Sequence, residues 1–319
     1  MLSRTADHIY WAARYLERAA NTIRLLSVCY ITAPMSNNDE AINNSWRSVL
    51  ETLETLEEFQ EVYSQLNADV VMNYVVANSG YSSSIISCMT AARENVRAIR
   101  GTLSSEVWEA VNGTWLDLKR LLEEQTLNED PRRVFDWLGA RLNLINGVVE
   151  GTMRRNEAYH FMRLGLYLER ADNTARMLNT RFFMNENFES DESLSINRLY
   201  HWSAVLQALS SLEIYRQVVR DAIEPNKVMG LIILERHMPH SLAYATEGIY
   251  NKLRTLANSR SSQTERLAGK LEAKLRFITI EEIQENGLQD FLVDYLEMIQ
   301  LIGEGIHNDF LWPAEEHHR

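Results

Sequence analysis

The sequence predicts an all-α fold: a helical bundle, or fused bundles, made from an internally duplicated multi-helix unit, with about ten to twelve helices in all. Five prolines and thirteen glycines are few for 319 residues. Between polar breaks, apolar residues recur every three or four positions rather than every second one, which is the period of a helix. The third observation is a repeat. YLERAANTIRLL at 15–26 reappears as YLERADNTARML at 167–178, with nine of twelve positions identical. Trp46 to Glu57 returns as Trp202 to Glu213 in the pattern W-x-x-V-L-x-x-L-x-x-L-E, and Val71, Met72 and Ser84 return as Val228, Met229 and Ser241. Order is kept while the spacing drifts only from 152 to 157 residues. That drift predicts two repeat halves, 1–150 and 151–319, packed as one unit.

The first helix carries Ile9, Ala12, Leu16, Ala19, Ile23 and Leu26 along one stripe, copied by Phe161, Leu164, Leu168, Ala171, Ala175 and Leu178. Charges interrupt its opening residues, so it reads as a helix rather than a secretory leader. The next helix presents Trp46, Val49, Leu53 and Leu56. Ser82 to Ser84 precede an apolar run and suit a helix cap, with Arg93, Arg97 and Arg100 further along that helix. Pro239 in HMPHS suits the first turn of the corresponding helix in the second half. Apolar spacing alone marks a last helix in each half, near 134–149 and 291–306. Breaks are expected near residues 34, 78, 127, 186, 224 and 258.

Composition narrows the function. A formal charge of −12 opposes general nucleic-acid binding, which depends on cations meeting phosphates, and opposes an anionic membrane surface. No apolar window reaches the roughly 18 residues of a membrane span. Cys29 and Cys88 are the only cysteines and lack metal-ligand spacing, which fits a reducing cytoplasm. Phosphate loops, dinucleotide fingerprints, nucleophile elbows and His-Glu-x-x-His sequences are absent. No cofactor is expected.

The polar side of the Tyr-Leu-Glu-Arg helix carries the strongest functional signal. With Leu16 facing the core, a step of about 100° per residue puts Arg14, Glu17, Arg18 and Asn21 on the opposite half of the helix. Glu17, Arg18, Asn21, Thr22 and Arg24 are nevertheless matched by Glu169, Arg170, Asn173, Thr174 and Arg176. Matched polar residues imply a demanding environment, either a buried Glu-Arg network between helices or an arginine fork for a carboxylate or phosphate. Arg93, Glu94 and Arg97, near the Ser84 helix start, are further anion-binding candidates. Glu157 with His160 and Glu304 with His307 have the Glu-x-x-His spacing of dimetal bundles, but at non-equivalent places in the two halves. His8 and His160 occupy the same place in the repeat. No metal site is assigned.

Several segments together resemble one family, the bacterial alpha-E domain proteins: LSRTADHIYWAARYLERAANT, AARENVRAIRGTLSSEVWEAVN, GTMRRNEAYHFMRLGLYLERADNTARML and the Pro239-His-Ser segment. The resemblance implies an all-helical fold with Glu-Arg motifs at Glu17-Arg18 and Glu169-Arg170, and an Arg-Glu-Asn block at Arg93-Glu94-Asn95. It also implies company: circularly permuted ATP-grasp ligases, often with a transglutaminase-like protein, and hence peptide or amide-bond chemistry. His240 stands where the family form has arginine. The expectation is a partner of an ATP-grasp peptide or amide ligase that docks the ligase or binds a peptide or carboxylate. The alternatives are an enzyme acting on the ligase product, with glutamate as acid or base, and a dimetal bundle.

Overall fold

The structure, a computed structural model, describes residues 1–35, 39–179 and 191–311. Among these residues it is all helical. The first half comprises α1 (Ser3–Thr32), α2 (Asp39–Thr52), α3 (Leu56–Val62), α4 (Ala68–Ala77), α5 (Ile85–Ala98), α6 (Ser105–Glu123), α7 (Thr126–Glu129) and α8 (Pro131–Thr152). The second comprises α9 (Glu157–Asn179), α10 (Asp191–Ala208), α11 (Leu212–Val218), α12 (Pro225–Leu234), α13 (Leu242–Leu256), α14 (Ser262–Phe277), α15 (Ile280–Asn286) and α16 (Leu288–Ile306). A single-turn π-helix, His307–Leu311, follows.

Sixteen α-helices among the described residues exceed the ten to twelve expected. The excess comes from short helices such as α3, α7 and α11, set off by turns that lack the usual punctuation. Glu54, Gln125, Ser210 and Arg220 take positive φ values of 52° to 57° without being glycine, so neither Gly nor Pro announces the break. Elsewhere the local signals hold. Ser84 caps α5 by accepting from the Ser87 N–H at 3.2 Å, Ser241 caps α13 by accepting from the Tyr244 N–H at 3.0 Å, and Asp130 caps α8 ahead of Pro131. Pro239 is a correction: it lies two residues before the Ser241 cap rather than in the first turn of α13. There its carbonyl is free for a tertiary contact. Residues 186–190 of the expected break near 186 lie outside the described residues.

Two long helices form the axis of the molecule. The Met1 amino group meets Glu157, Tyr10 lies against Gly165, and Arg14 meets Glu169, so α1 and α9 run side by side in the same direction. The predicted stripes are their buried faces, from Ile9 to Leu26 and from Phe161 to Leu178. α5 and α8 pack on α1 with α6 closing that side, and α13 and α16 pack on α9 with α14 closing the other. One hydrophobic cluster runs from Ala6 to Leu311.

Gly165 sets how closely the axial pair approaches. A Cβ there would lie 2.4 Å from the Tyr10 carbonyl oxygen and 3.2 Å from the Ala13 Cβ, so only glycine permits this contact. Among the described residues, no helix is long and apolar enough to cross a membrane.

Candidate functional site

The close approach of α1 and α9 brings the two Glu-Arg pairs together, and each helix supplies the counter-ion of the other. Arg170 donates to Glu17 through Nε at 2.8 Å and Nη2 at 3.2 Å. Reciprocally, Arg18 donates to Glu169 through Nε at 2.6 Å and Nη2 at 3.3 Å. Both are forked carboxylate–guanidinium contacts, the geometry that makes arginine selective for planar anions. Glu17 and Glu169 are 2% and 1% exposed. Burial alone would raise both carboxyls. Arg170 overrides it at Glu17, and Arg14 with Arg18 override it at Glu169, so each is held below the ordinary carboxylate value.

The surroundings of the two pairs differ. Around Glu17, Arg170 Nη1 donates to the Pro239 carbonyl at 3.0 Å, and Thr174 donates to the His240 carbonyl at 3.3 Å. Arg24 donates to Asn21 Oδ1 and comes within 3.8 Å of Glu17. Burial, reinforced by Arg170 against the pull of Glu17, lowers Arg24 to about 10. Arg24 Nε, Asn21 Nδ2 and His240 Nδ1 are buried without a protein partner.

Around Glu169 the structure opens. Arg14 Nε adds a third hydrogen bond to this carboxylate at 2.7 Å, and Arg18 Nη1 reaches Ser83 Oγ at 3.1 Å. One turn on, Arg176 forks onto Asp172 at 2.7 and 3.0 Å and also pairs with Glu54. Arg14, Arg18, Glu54, Asp172 and Arg176 line a cleft of about 760 Å3 between α1, α9 and α16, whose far wall carries Glu297, Gln300, Glu304 and His307. A recess of about 190 Å3 beside it is lined by Thr52, Tyr81, Ser83 and Asn173. Burial and then the Glu169 carboxylate push Asp172 above the usual carboxylate range, against the pull of Arg14 and Arg18.

Of the residues singled out from the sequence, Glu17, Arg18, Asn21, Arg24, Glu169, Arg170, Asn173 and Arg176 gather along the axial pair. Arg93, Glu94 and Arg97 form a separate cluster. Arg93 binds Asn112 of α6 at 2.8 Å, lies 4.4 Å from the Trp115 ring centroid and pairs with Glu94, which also holds Arg97. His8 contacts Asn95 at 2.7 Å, whereas His160 Nδ1 has no partner. Glu157 takes the Met1 amino group, while Glu304 and His307 face the cleft. Among the described residues, no three His, Cys, Asp or Glu side chains come together as a metal set.

Sequence reasoning missed Trp11, Glu54, Tyr81 and Asp172, took Ser83 only as part of a helix-capping run, and placed Arg14 on the polar face without assigning it a site. Asp172 carried a usable signal, because it is the one charged residue among the three mismatches of the repeated segment.

The fold and this centre define a class: a helical protein whose two axial helices are joined by reciprocal buried Glu-Arg pairs. The chain belongs to the Alpha-E family, described as a predicted alpha-helical domain with a conserved ER motif, whose model matches residues 1–311. Neither a curated protein nor a solved structure matches the chain.

Proposed function

We propose that this chain is an accessory protein of a bacterial ATP-grasp peptide or amide ligase system, and that it holds a peptide or carboxylate substrate for that ligase in the cleft beside Glu169. A transglutaminase-like protein is a further partner in the same system, and the cytoplasm is its place of action. One observation carries the binding role: three of the axial guanidiniums, those of Arg14, Arg18 and Arg176, line a cleft large enough for a small ligand instead of being sealed among helices. Family membership supports the ligase association.

We further infer that the two halves are copies of one unit. The swapped Glu-Arg pairs, the paired caps at Ser84 and Ser241, and the left-handed turns at Glu54 and Ser210 support this reading. In such a duplicate, the motif pairs fasten the halves together and one side remains free to diverge toward ligand binding.

The enzyme alternative draws its support from Asp172. Glu17 and Glu169 are fully engaged by guanidinium groups and held ionised, so neither has a proton to give near neutrality. Asp172 faces the cleft with its carboxyl raised. Turnover of a peptide by the isolated protein, lost in Asp172→Asn with the helix content unchanged, would favour this reading.

The test of the leading proposal is copurification of the full chain with its ATP-grasp ligase, repeated with Arg176→Ala. Retention of the ligase by both proteins, with its rate on the peptide raised by the native protein and not by the variant, and with an unchanged circular dichroism spectrum, is the expected result. A ligase that is neither retained nor altered in rate by the native protein would overturn it.

A further inference from the structure

The two motif pairs have different surroundings, and three of the sequence differences between their helices meet at one place. Aligned with the repeated segment, Trp11 faces Arg163, Arg14 faces Leu166, and Ala20 faces Asp172. Trp11, Arg14 and Asp172, one from each of these positions, all line the open cleft.

Among the cleft guanidiniums, Arg14 makes the fewest contacts with carboxylates. Arg18 uses Nε and Nη2 on Glu169 and Nη1 on Ser83, and Arg176 divides itself between Asp172 and Glu54. Arg14 gives only its Nε–H to a carboxylate, Glu169. Its orientation is fixed from behind as well, with the guanidinium carbon 5.0 Å from the Trp11 ring centroid and 5.8 Å from that of Tyr10. A guanidinium held by its Nε, by the Tyr10 hydroxyl and by stacking is preset in its plane, and its remaining terminal N–H groups are aimed for a planar oxyanion. Opposite it, α16 contributes Glu297 and Glu304. An acidic wall facing a guanidinium disfavours polyanions and suits a ligand with one carboxylate and, further along, a cationic amine.

We propose that Arg14 is the carboxylate anchor of the cleft, and that the ligand is a zwitterionic amino acid or short peptide whose free carboxylate meets Arg14 while its amine faces the acidic wall of α16. This inference rests on the reading that the cleft binds a substrate. It adds which end of that substrate is recognised, and by which residue.

The experiment is calorimetric titration of the full chain with three probes: trialanine as the free acid, its carboxy-terminal amide and its N-acetyl derivative. The titrations are repeated on Arg14→Leu and Arg14→Lys. Arg18 stays on Glu169 in both variants, so the axial pairing survives, and circular dichroism verifies the fold. The free acid should bind the native protein about tenfold or more tightly than the amide, the scale of one charge-assisted hydrogen bond. Arg14→Leu should abolish that preference, Arg14→Lys should restore only part of it, and acetylation should also weaken binding. Equal affinity for acid and amide in the native protein, or a preference that persists in Arg14→Leu, overturns this inference and leaves substrate binding by the cleft standing. Failure of all three probes to bind overturns both. The acid–amide comparison needs only the native protein, so it decides the matter even if a variant does not fold.

Discussion

Replacing Glu17 with glutamine should destabilise the protein more than the same change at Glu169, although Glu169 accepts more hydrogen bonds. Glu17→Gln leaves Arg170 facing a neutral amide. The Arg170 side chain is 9% exposed, so water cannot take the place of the lost charge, and removing one partner of a buried pair costs about 3–5 kcal/mol. Arg24, already depressed by burial and by Arg170, loses its nearest carboxylate in the same step. At Glu169 the stranded groups are Arg14 and Arg18, with side chains 18% and 25% exposed at the cleft edge. Partial hydration there limits the loss to about 2 kcal/mol, nearer the value of a charged hydrogen bond. Urea unfolding followed by circular dichroism, with the slopes compared to exclude a change in cooperativity, measures both. Equal costs, or a larger cost at Glu169, would refute the idea that exposure rather than contact number governs these pairs. A Glu17→Leu, Arg170→Met double variant should recover much of the loss, because apolar replacements remove both desolvation penalties.

Other outcomes follow from the same geometry. Gly165→Ala improves helix propensity by about 1 kcal/mol but drives a methyl group against the Tyr10 carbonyl, and the overpacking cost of about 1–3 kcal/mol should leave a net loss of stability in thermal unfolding. Burial lowers His201 to about 4. Its folded value therefore lies below its unfolded value near 6.5, its contribution is complete above that pH, and it is lost as pH falls toward 4, by up to about 3 kcal/mol. His201→Phe should remove that limb of the stability–pH curve. Glu17 and Glu169 are also depressed, so their contribution holds above about pH 4.5 and fades with further acidification; a midpoint that does not change below pH 4.5 would contradict their pairing. Cys29 and Cys88 are fully buried, and burial pushes the Cys88 thiol up to about 12, so alkylation at pH 8 should require urea.

How legible these features were in the sequence depended on whether the cause was local. The stripes of α1 and α9, the helix starts at Ser84 and Ser241, and the pairing of the Glu-Arg residues between helices could be read, because period and capping chemistry act over a few positions. The turns at Glu54 and Ser210 could not, because an αL residue other than glycine is stabilised by surrounding packing and leaves no mark in composition. The cleft was hidden for a similar reason. Arg14, Asp172 and Glu297 come from three helices, and only the close contact permitted by Gly165 and the placement of α16 bring them to one opening. Matching residues between segments pointed to what both sides share. The open site draws on residues at which the aligned segments differ.

The exchange of counter-ions between α1 and α9 also limits how this chain can be divided. If the polypeptide were severed in the turn between α8 and α9, each fragment would keep an acid and a base that are adjacent on its own helix yet aimed outward at a missing neighbour. Each fragment would expose its half of both pairs to water, so reassembly of the unlike fragments, motif to motif, is the expected outcome of such a cut.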